Sequence, residues 1–396
     1  MRMAFFHDFP VFKDEKNHYF SIGFSYSLWE RYLKLFSSLI VGCRVRNLDD
    51  YKNETFKNNL QRSDGQNVSI RPISEYTSHK DYLVNRMKII QQINTIIKEV
   101  DCVVVRLPSV IGSLAYKQAI KQKKVIICEL VACPWDSLWN FGKIKTKIAA
   151  PIMYLKTKKI IKDAQNVLYV TNEFLQKRYK NTNNNIGCSD VEIYDFPDTI
   201  LLERINKKRF NEVIKIGLIG SSGNRFKGHE TAIKAISLLK DKYSIHLHLL
   251  GHGNIGTIKN LIEKEGLEEN IKLDGIRKSG EDVWGWLDQI DIYVQPSLQE
   301  GMNRATIEAM SRACPVITSN VGGFPEVVRG DFIIKKKDYK ELARKIEDLL
   351  TNKSLYAEIC KYNFYKSKSF TKSNLDSTRE SFFLSCIANK EKGIKI

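Results

Sequence analysis

Short apolar runs alternate along this chain with stretches whose apolar residues recur three or four apart, and the alternation is cleanest in the second half. Ile214 to Gly220 reads as a strand that ends at a glycine, and from Gly228 to Lys240 the residues Ile233, Ile236 and Leu239 keep helical spacing. Period two returns from Ser244 to Leu250, with His246 and His248 on one face of that strand, and stops at Gly251-His252-Gly253. The pattern then predicts a helix over 255–264, a strand over Ile271 to Leu273, a helix near Asp282 to Leu287 and a strand over Asp291 to Gln295. A helix over Arg304 to Ser311 and a strand over Val316 to Ser319 complete it. Strands and helices alternating at this pitch make parallel βαβ units, hence a doubly wound α/β sheet.

The first half repeats the theme. Met3 to Phe6, Leu39 to Arg44, Val68 to Ile70, Cys102 to Arg106, Val125 to Cys128 and Val167 to Val170 read as strands. Tyr82 to Val100 reads as a long helix with Leu83, Met87, Ile90, Ile93 and Ile97 on one stripe. A polar, basic stretch at Lys207 to Asn211 precedes a fresh strand and marks the expected linker, giving domains 1–206 and 207–365, with further helical segments after Leu350. A chain of 396 residues exceeds one ordinary core, so two domains fit its length.

Composition changes this picture at three points. The formal net charge is +18, which favours an anionic partner or reflects Lys- and Asn-rich usage alone. The eight cysteines are scattered, several inside apolar runs, and do not cluster with the seven histidines at ligand spacing, so neither a disulfide framework nor a metal site is expected. The N-terminus Met1 to His7 lacks the core of a signal peptide and no run approaches the ~20 apolar residues of a membrane span, so a cytoplasmic protein is expected.

Two loop–helix junctions carry the chemistry. In Glu300-Gly301-Met302-Asn303-Arg304 the strand ends, Asn303 can cap a helix, and Gly301 leaves room for close backbone approach. The helix N-terminus suits a phosphate, with Glu300 before it and Glu308 inside it. One carboxylate reaches the sugar side and the other the ribose of a bound nucleotide, or both are solvated on a surface helix. Gly220-Ser221-Ser222-Gly223-Asn224-Arg225-Phe226-Lys227-Gly228 is the second junction. Its cations offset charge on a leaving diphosphate, or sit in an ordinary loop. The order Gly-Lys-Ser/Thr of a Walker loop is missing.

Glu300 and Glu308 form an E-x7-E signature; with Lys227-Gly228 upstream and Pro315-Val316-Ile317 and Gly322-Gly323-Phe324-Pro325-Glu326 downstream, the chain resembles the retaining GT-B glycosyltransferases called group 1 or family 4. The resemblance is strong over 212–350 and topological before that. It implies two Rossmann-like domains with a cleft between them, the first for the acceptor and the second for a UDP- or GDP-sugar donor. It also implies metal-free, retaining transfer of a hexose-type sugar. By position Arg225 and Lys227 would bind the diphosphate, Glu308 the ribose and Glu300 the transferred sugar. The backbone of Gly301, Met302 and Asn303, with the loop Gly220, Ser221 and Ser222, would hold phosphate and hydroxyls. The last helix, about 370–390, would pack back on the first domain.

Two departures stand out. Ser222 occupies the place where many relatives carry an arginine five residues before the lysine, so Arg225 would substitute. After the first strand, Phe6-His7-Asp8-Phe9-Pro10 replaces a glycine pair. On the acceptor side Glu129, Asp136 and His7 are the candidates. The segment Lys143 to Lys162 interleaves seven lysines with Ile144, Ile148, Ile152, Leu155 and Ile160, which suits an anionic inner-membrane surface or a solvated helix face. A polyprenyl-diphosphate-linked glycan would then be the acceptor; the family resemblance implies bacterial surface polysaccharide (lipopolysaccharide or capsule) synthesis. The rivals are a GT-B epimerase or phosphorylase, a sugar-nucleotide-binding protein without activity, and a nucleic-acid-binding protein, for which no motif speaks.

Overall fold

Apolar runs too short to be helices pair side by side and are covered by the amphipathic stretches between them. A computed structural model describes the chain except residues 52, 53, 58, 77, 78, 141–143, 207–212, 224, 254, 255 and 392–396. It divides into two compact units, Met1–Cys188 with Asp376–Ile396, and Ser189–Leu375. The linker expected at Lys207 to Asn211 lies outside the described residues.

The first unit holds strands β1 (Arg2–Lys13), β2 (Tyr19–Ser21), β3 (Ser38–Asn47), β4 (Gln61–Arg62), β5 (Val68–Ile73), β6 (Cys102–Leu107), β7 (Val125–Leu130), β8 (Asn166–Tyr169) and β9 (Asn184–Gly187). The parallel body runs β5-β3-β1-β6-β7-β8-β9. β2 and β4 add antiparallel to the far end of β1. β1 outruns the expected Met3 to Phe6: its register against β3 shifts between Phe6 and Pro10, and pairing resumes from Pro10 to Lys13. Such a bulge is how a strand changes direction without ending.

The helix His79–Lys98 covers this sheet with Ile89, Ile93, Ile96 and Ile97, all buried. The expected stripe is corrected at its start, because Leu83 and Met87 are 57% and 64% exposed. The last helix, Lys372–Glu391, places Phe383 against Tyr32 and Phe36, and Lys34 Nζ donates to Asp376 Oδ2 at 2.7 Å. Each fully buried ring or aliphatic chain of this kind contributes about 1.5–3 kcal/mol.

In the second unit β10 (Ile214–Ile219), β11 (Ile245–Leu250), β12 (Ile271–Gly275), β13 (Ile292–Gln295), β14 (Val316–Ser319) and β15 (Ile333–Ile334) are all parallel, in the order β12-β11-β10-β13-β14-β15. Ile216, Leu218, Leu247, Val294 and Ile317 form its buried centre. His246 and His248 lie on β11, and His248 Nδ1 is 3.0 Å from Asp274 Oδ2 on β12. All eight cysteines are buried, none in a disulfide. No helix among the described residues is long and apolar enough to cross a membrane.

Candidate functional site

A doubly wound sheet opens a crevice at the carboxyl ends of its strands where the strand order reverses. In the second unit that reversal lies between β10 and β13, which are hydrogen-bonded neighbours. The two junctions singled out in the sequence therefore leave the sheet side by side, one after β10 and one after β13.

Main-chain contacts sew them together. Gly228 has φ +83°, and a Cβ there would lie 2.1 Å from the carbonyl oxygen of Pro296, so only glycine permits this approach. The Leu298 N–H donates to the Phe226 carbonyl at 2.7 Å, and Gln295 Nε2 donates to the Lys227 carbonyl at 3.0 Å. Gly322, at φ +56°, passes equally close to the Glu300 carbonyl, and the Gly323 N–H donates to Gly301 at 2.9 Å. The Gly-Gly-Phe-Pro-Glu turn is thus the support on which the Glu300–Gly301 loop rests.

The charged side chains meet on this frame. Lys227 Nζ donates to Glu300 Oε1 at 2.9 Å, and the Ser297 hydroxyl donates to the same oxygen at 2.9 Å. The stem of Lys227 crosses over Gly220, where a Cβ would stand 2.8 Å from Lys227 Cγ. Ser221 and Ser222 are partly buried beside it, and the Ser222 N–H donates to the His252 carbonyl at 2.9 Å. Arg225 opens a short 3₁₀ turn, Arg225–Lys227, but its side chain lies outside the described residues, as does Asn224. His229 begins the next helix fully buried, and burial holds its imidazole down at about 4.

Past β13, the Asn303 side chain accepts from the Thr306 N–H at 2.8 Å and caps the helix Arg304–Ser311. Among the described residues no side chain takes the N–H groups of Arg304 or Ala305, which a helix start leaves for a ligand. Met302, partly buried, touches Gly323. Glu308 is 8% exposed, and burial raises its carboxyl above the ordinary value against the pull of Arg304. It borders a cavity of about 670 Å³ with Arg304, Tyr194, Gly280, Trp284 and Lys372. Sequence reasoning missed Gln295 and Ser297, whose signal is two polar residues closing an apolar strand, and the cavity wall at Tyr194 and Trp284.

Of the candidates of the first unit, Glu129 and His7 both lie near Arg106, and Asp136 has a different partner. Glu129 is 1% exposed, with Oε1 accepting from the Tyr32 hydroxyl at 2.7 Å and Oε2 from Arg106 at 3.1 Å. Asp136 pairs with Arg178 at 2.6 Å. His7 sits in the β1 bulge, stacked on Phe24 with centroids 5.5 Å apart. Burial lowers it to about 4, with Asp8 opposing and Arg106 and Arg44 assisting. Among the described residues no group of three or more His, Cys, Asp and Glu could hold a metal ion.

A lysine, a carboxylate, two hydroxyl-rich loops and an open helix N-terminus at one sheet reversal can receive a diphosphate and a polyol together. Residues 214–352 match the family described as Glycosyl transferases group 1. Protein CapJ of Staphylococcus aureus is 33% identical over 97% of this chain and 95% of its own length. The capsular polysaccharide biosynthesis glycosyltransferase CapM of the same species is 30% identical over 40% of this chain and 42% of its own. Among solved structures, HepE of Anabaena in complex with UDP has a TM-score of 0.68 at 15% identity, covering 97% of this chain and all of that one. The fold is GT-B, and the chain belongs to the group 1 glycosyltransferases.

Proposed function

We propose that this glycosyltransferase moves a hexose-type sugar, with retention and without a metal, from a UDP- or GDP-sugar to a glycan or polyprenyl-diphosphate-linked glycan. Bacterial surface polysaccharide, capsule or lipopolysaccharide, is the product class, and the name of the relative CapM supports the capsular one. A cytoplasmic protein held peripherally at the inner face of the membrane fits such an acceptor.

The observation that carries the donor reading is the meeting of Lys227 and Glu300 at the β10–β13 reversal. Lys227, with Arg225, neutralises charge that grows on the departing diphosphate, the main route by which such a barrier falls. The N–H groups behind Gly301, Met302 and Asn303 hold phosphate oxygens without needing to move. Glu300 orients the transferred sugar and Glu308 the ribose, so that departure and attack occur on the same face of the ring. Glu300 accepts from the ammonium of Lys227, and an entering diphosphate would compete with it for that cation.

The test is a thermal-shift panel of UDP- and GDP-sugars on the full chain, followed by product analysis with the donor that stabilises it. Donor present at a hundred times its Kd adds about 2.7 kcal/mol of stability. A glycosylated product with the donor's anomeric configuration supports the reading; an epimerised nucleotide sugar or phosphate-dependent cleavage overturns it.

A further inference from the structure

The helix Ile144–Asp163 is apolar on two opposite faces. Ala150, Thr157, Ile160 and Ile161 are buried against the first unit. Ile144, Ile148, Ile152 and Leu155 face the other way, 77%, 63%, 63% and 63% exposed. At 3.6 residues per turn they share an arc of about 80°. Lys147 and Lys158 border that arc on one side and Lys145 and Lys156 on the other, while Lys159 and Lys162 prolong its line. Lys143, which the sequence pattern includes, lies outside the described residues. The water-facing side of a helix in a soluble protein is ordinarily polar. Here it is a strip of aliphatic carbon between rows of ammonium groups.

Other apolar residues of the same unit are exposed as well. The helix His79–Lys98 exposes Leu83, Val84 and Met87 at 57%, 75% and 64%. The ammonium of Lys156 is lowered by burial first and by Lys117, with Asp8 opposing and Arg86 of that turn assisting. Trp139, 44% exposed, stacks on Trp135 with centroids 5.2 Å apart, and Lys147 sits 5.8 Å above its ring. Tryptophan with a cation beside it is the side chain of a membrane–water boundary.

We propose that this face docks on an anionic lipid bilayer, with the aliphatic strip at the headgroup–acyl boundary and the lysines on the headgroups. A second copy of the chain would bring like charges together, and a nucleic acid would leave the aliphatic strip in water; a bilayer satisfies both halves of the pattern. The assignment deepens the lipid-linked-acceptor reading and rests on it for its purpose, while its test reads membrane partition directly.

The experiment is flotation of the full chain with vesicles of phosphatidylglycerol and phosphatidylcholine, against vesicles of phosphatidylcholine alone, at low and high salt. The wild type floats with the anionic vesicles at low salt and is released by high salt. Ile148→Glu with Ile152→Glu abolishes flotation, while circular dichroism and the thermal midpoint stay at wild-type values, since both positions are exposed. Lys145→Gln, Lys147→Gln and Lys158→Gln together weaken partition by about fivefold per charge, or about a hundredfold. Absence of flotation at low salt, equal flotation with neutral vesicles, or undiminished flotation of the Ile148→Glu, Ile152→Glu protein each overturns the proposal. A dimer that these two glutamates dissolve, with no vesicle binding, assigns the face to a second copy instead. The donor-site variant Lys227→Ala floats like the wild type, so failure here and failure of the transferase reading are separate results.

Discussion

The same reversal of strand order occurs in both units, and each fills it differently. In the second unit the helix after β13 is capped by one amide side chain, Asn303, which takes the Thr306 N–H only. In the first unit the equivalent helix, Val110–Lys121, follows β6 and has its first turn fully taken. Asp8 accepts from the Val110 and Ile111 N–H groups at 2.6 and 2.9 Å, and Ser109 accepts from Gly112 at 2.8 Å. The carboxylate that reaches this point belongs to the protein, carried there by the β1 bulge and fixed by the Tyr76 hydroxyl at 2.9 Å. Among the described residues one unit leaves the first N–H groups of its helix without a side-chain acceptor, and the other satisfies them internally.

This contrast is broken most severely at the ligand-facing junction. Lys227→Ala and Glu300→Ala should each lower sugar transfer by about a hundredfold or more, with the thermal midpoint of the free protein near wild type. Near-wild-type transfer by both removes the catalytic half of the comparison. Asp8→Ala should do the reverse, costing about 2–4 kcal/mol in denaturant unfolding because two helix N–H groups and a tyrosine hydroxyl lose their acceptor. A donor-induced thermal shift that persists in that variant would show that the two reversals do separate jobs.

Acid sharpens the contrast next. His7 in the first unit and His229 in the second are each held at about 4, below the ordinary 6.5, mainly by burial. The unfolded chain therefore binds protons that the folded one refuses. Their stabilising contribution is full above pH 6.5 and is lost as the pH falls from there toward 4, by about 2 kcal/mol at pH 5 for His229. His229→Leu should flatten that loss in unfolding measured from pH 7 to 5; an unchanged slope assigns it elsewhere. The smallest effect belongs to Asn303→Ala, about 1 kcal/mol for one lost cap. Its donor affinity should fall more than its stability, as thermal shifts at graded donor concentrations would reveal.

The second unit was more legible than the first for a physical reason. β10, β11, β13 and β14 are apolar runs that stop at polar or glycine-bearing loops, so the ends of β10 and β13 mark the junctions that bear Lys227 and Glu300. β9 escaped because Asn184 to Gly187 has no apolar pattern and is recruited by main-chain pairing to β8, with Asn184 bonded to Asn166. β15 escaped because two residues carry no period. Lys227, Glu300 and Glu308 stood out by spacing, but the supports beneath them did not. Ser297 against Glu300 is a local contact hidden in a loop, whereas Gly322 beneath Glu300 joins loops from two different strands. In the helix Ile144–Asp163 periodicity counted the isoleucines correctly and could not say that Ile160 goes inward while Ile148 and Ile152 go out.

The order of the chain through the two units has a consequence for synthesis. Ser189–Leu375 is one uninterrupted segment, whereas the first unit needs Asp376 onward to be complete. The two ends of the inserted segment are tied together, the Ile193 N–H donating to the Phe370 carbonyl at 3.0 Å. During translation the later-made unit can close first, while Tyr32 and Phe36 wait for Phe383 to leave the ribosome. A nonsense codon anywhere before Asp376 therefore damages the beginning of the protein as well as its end.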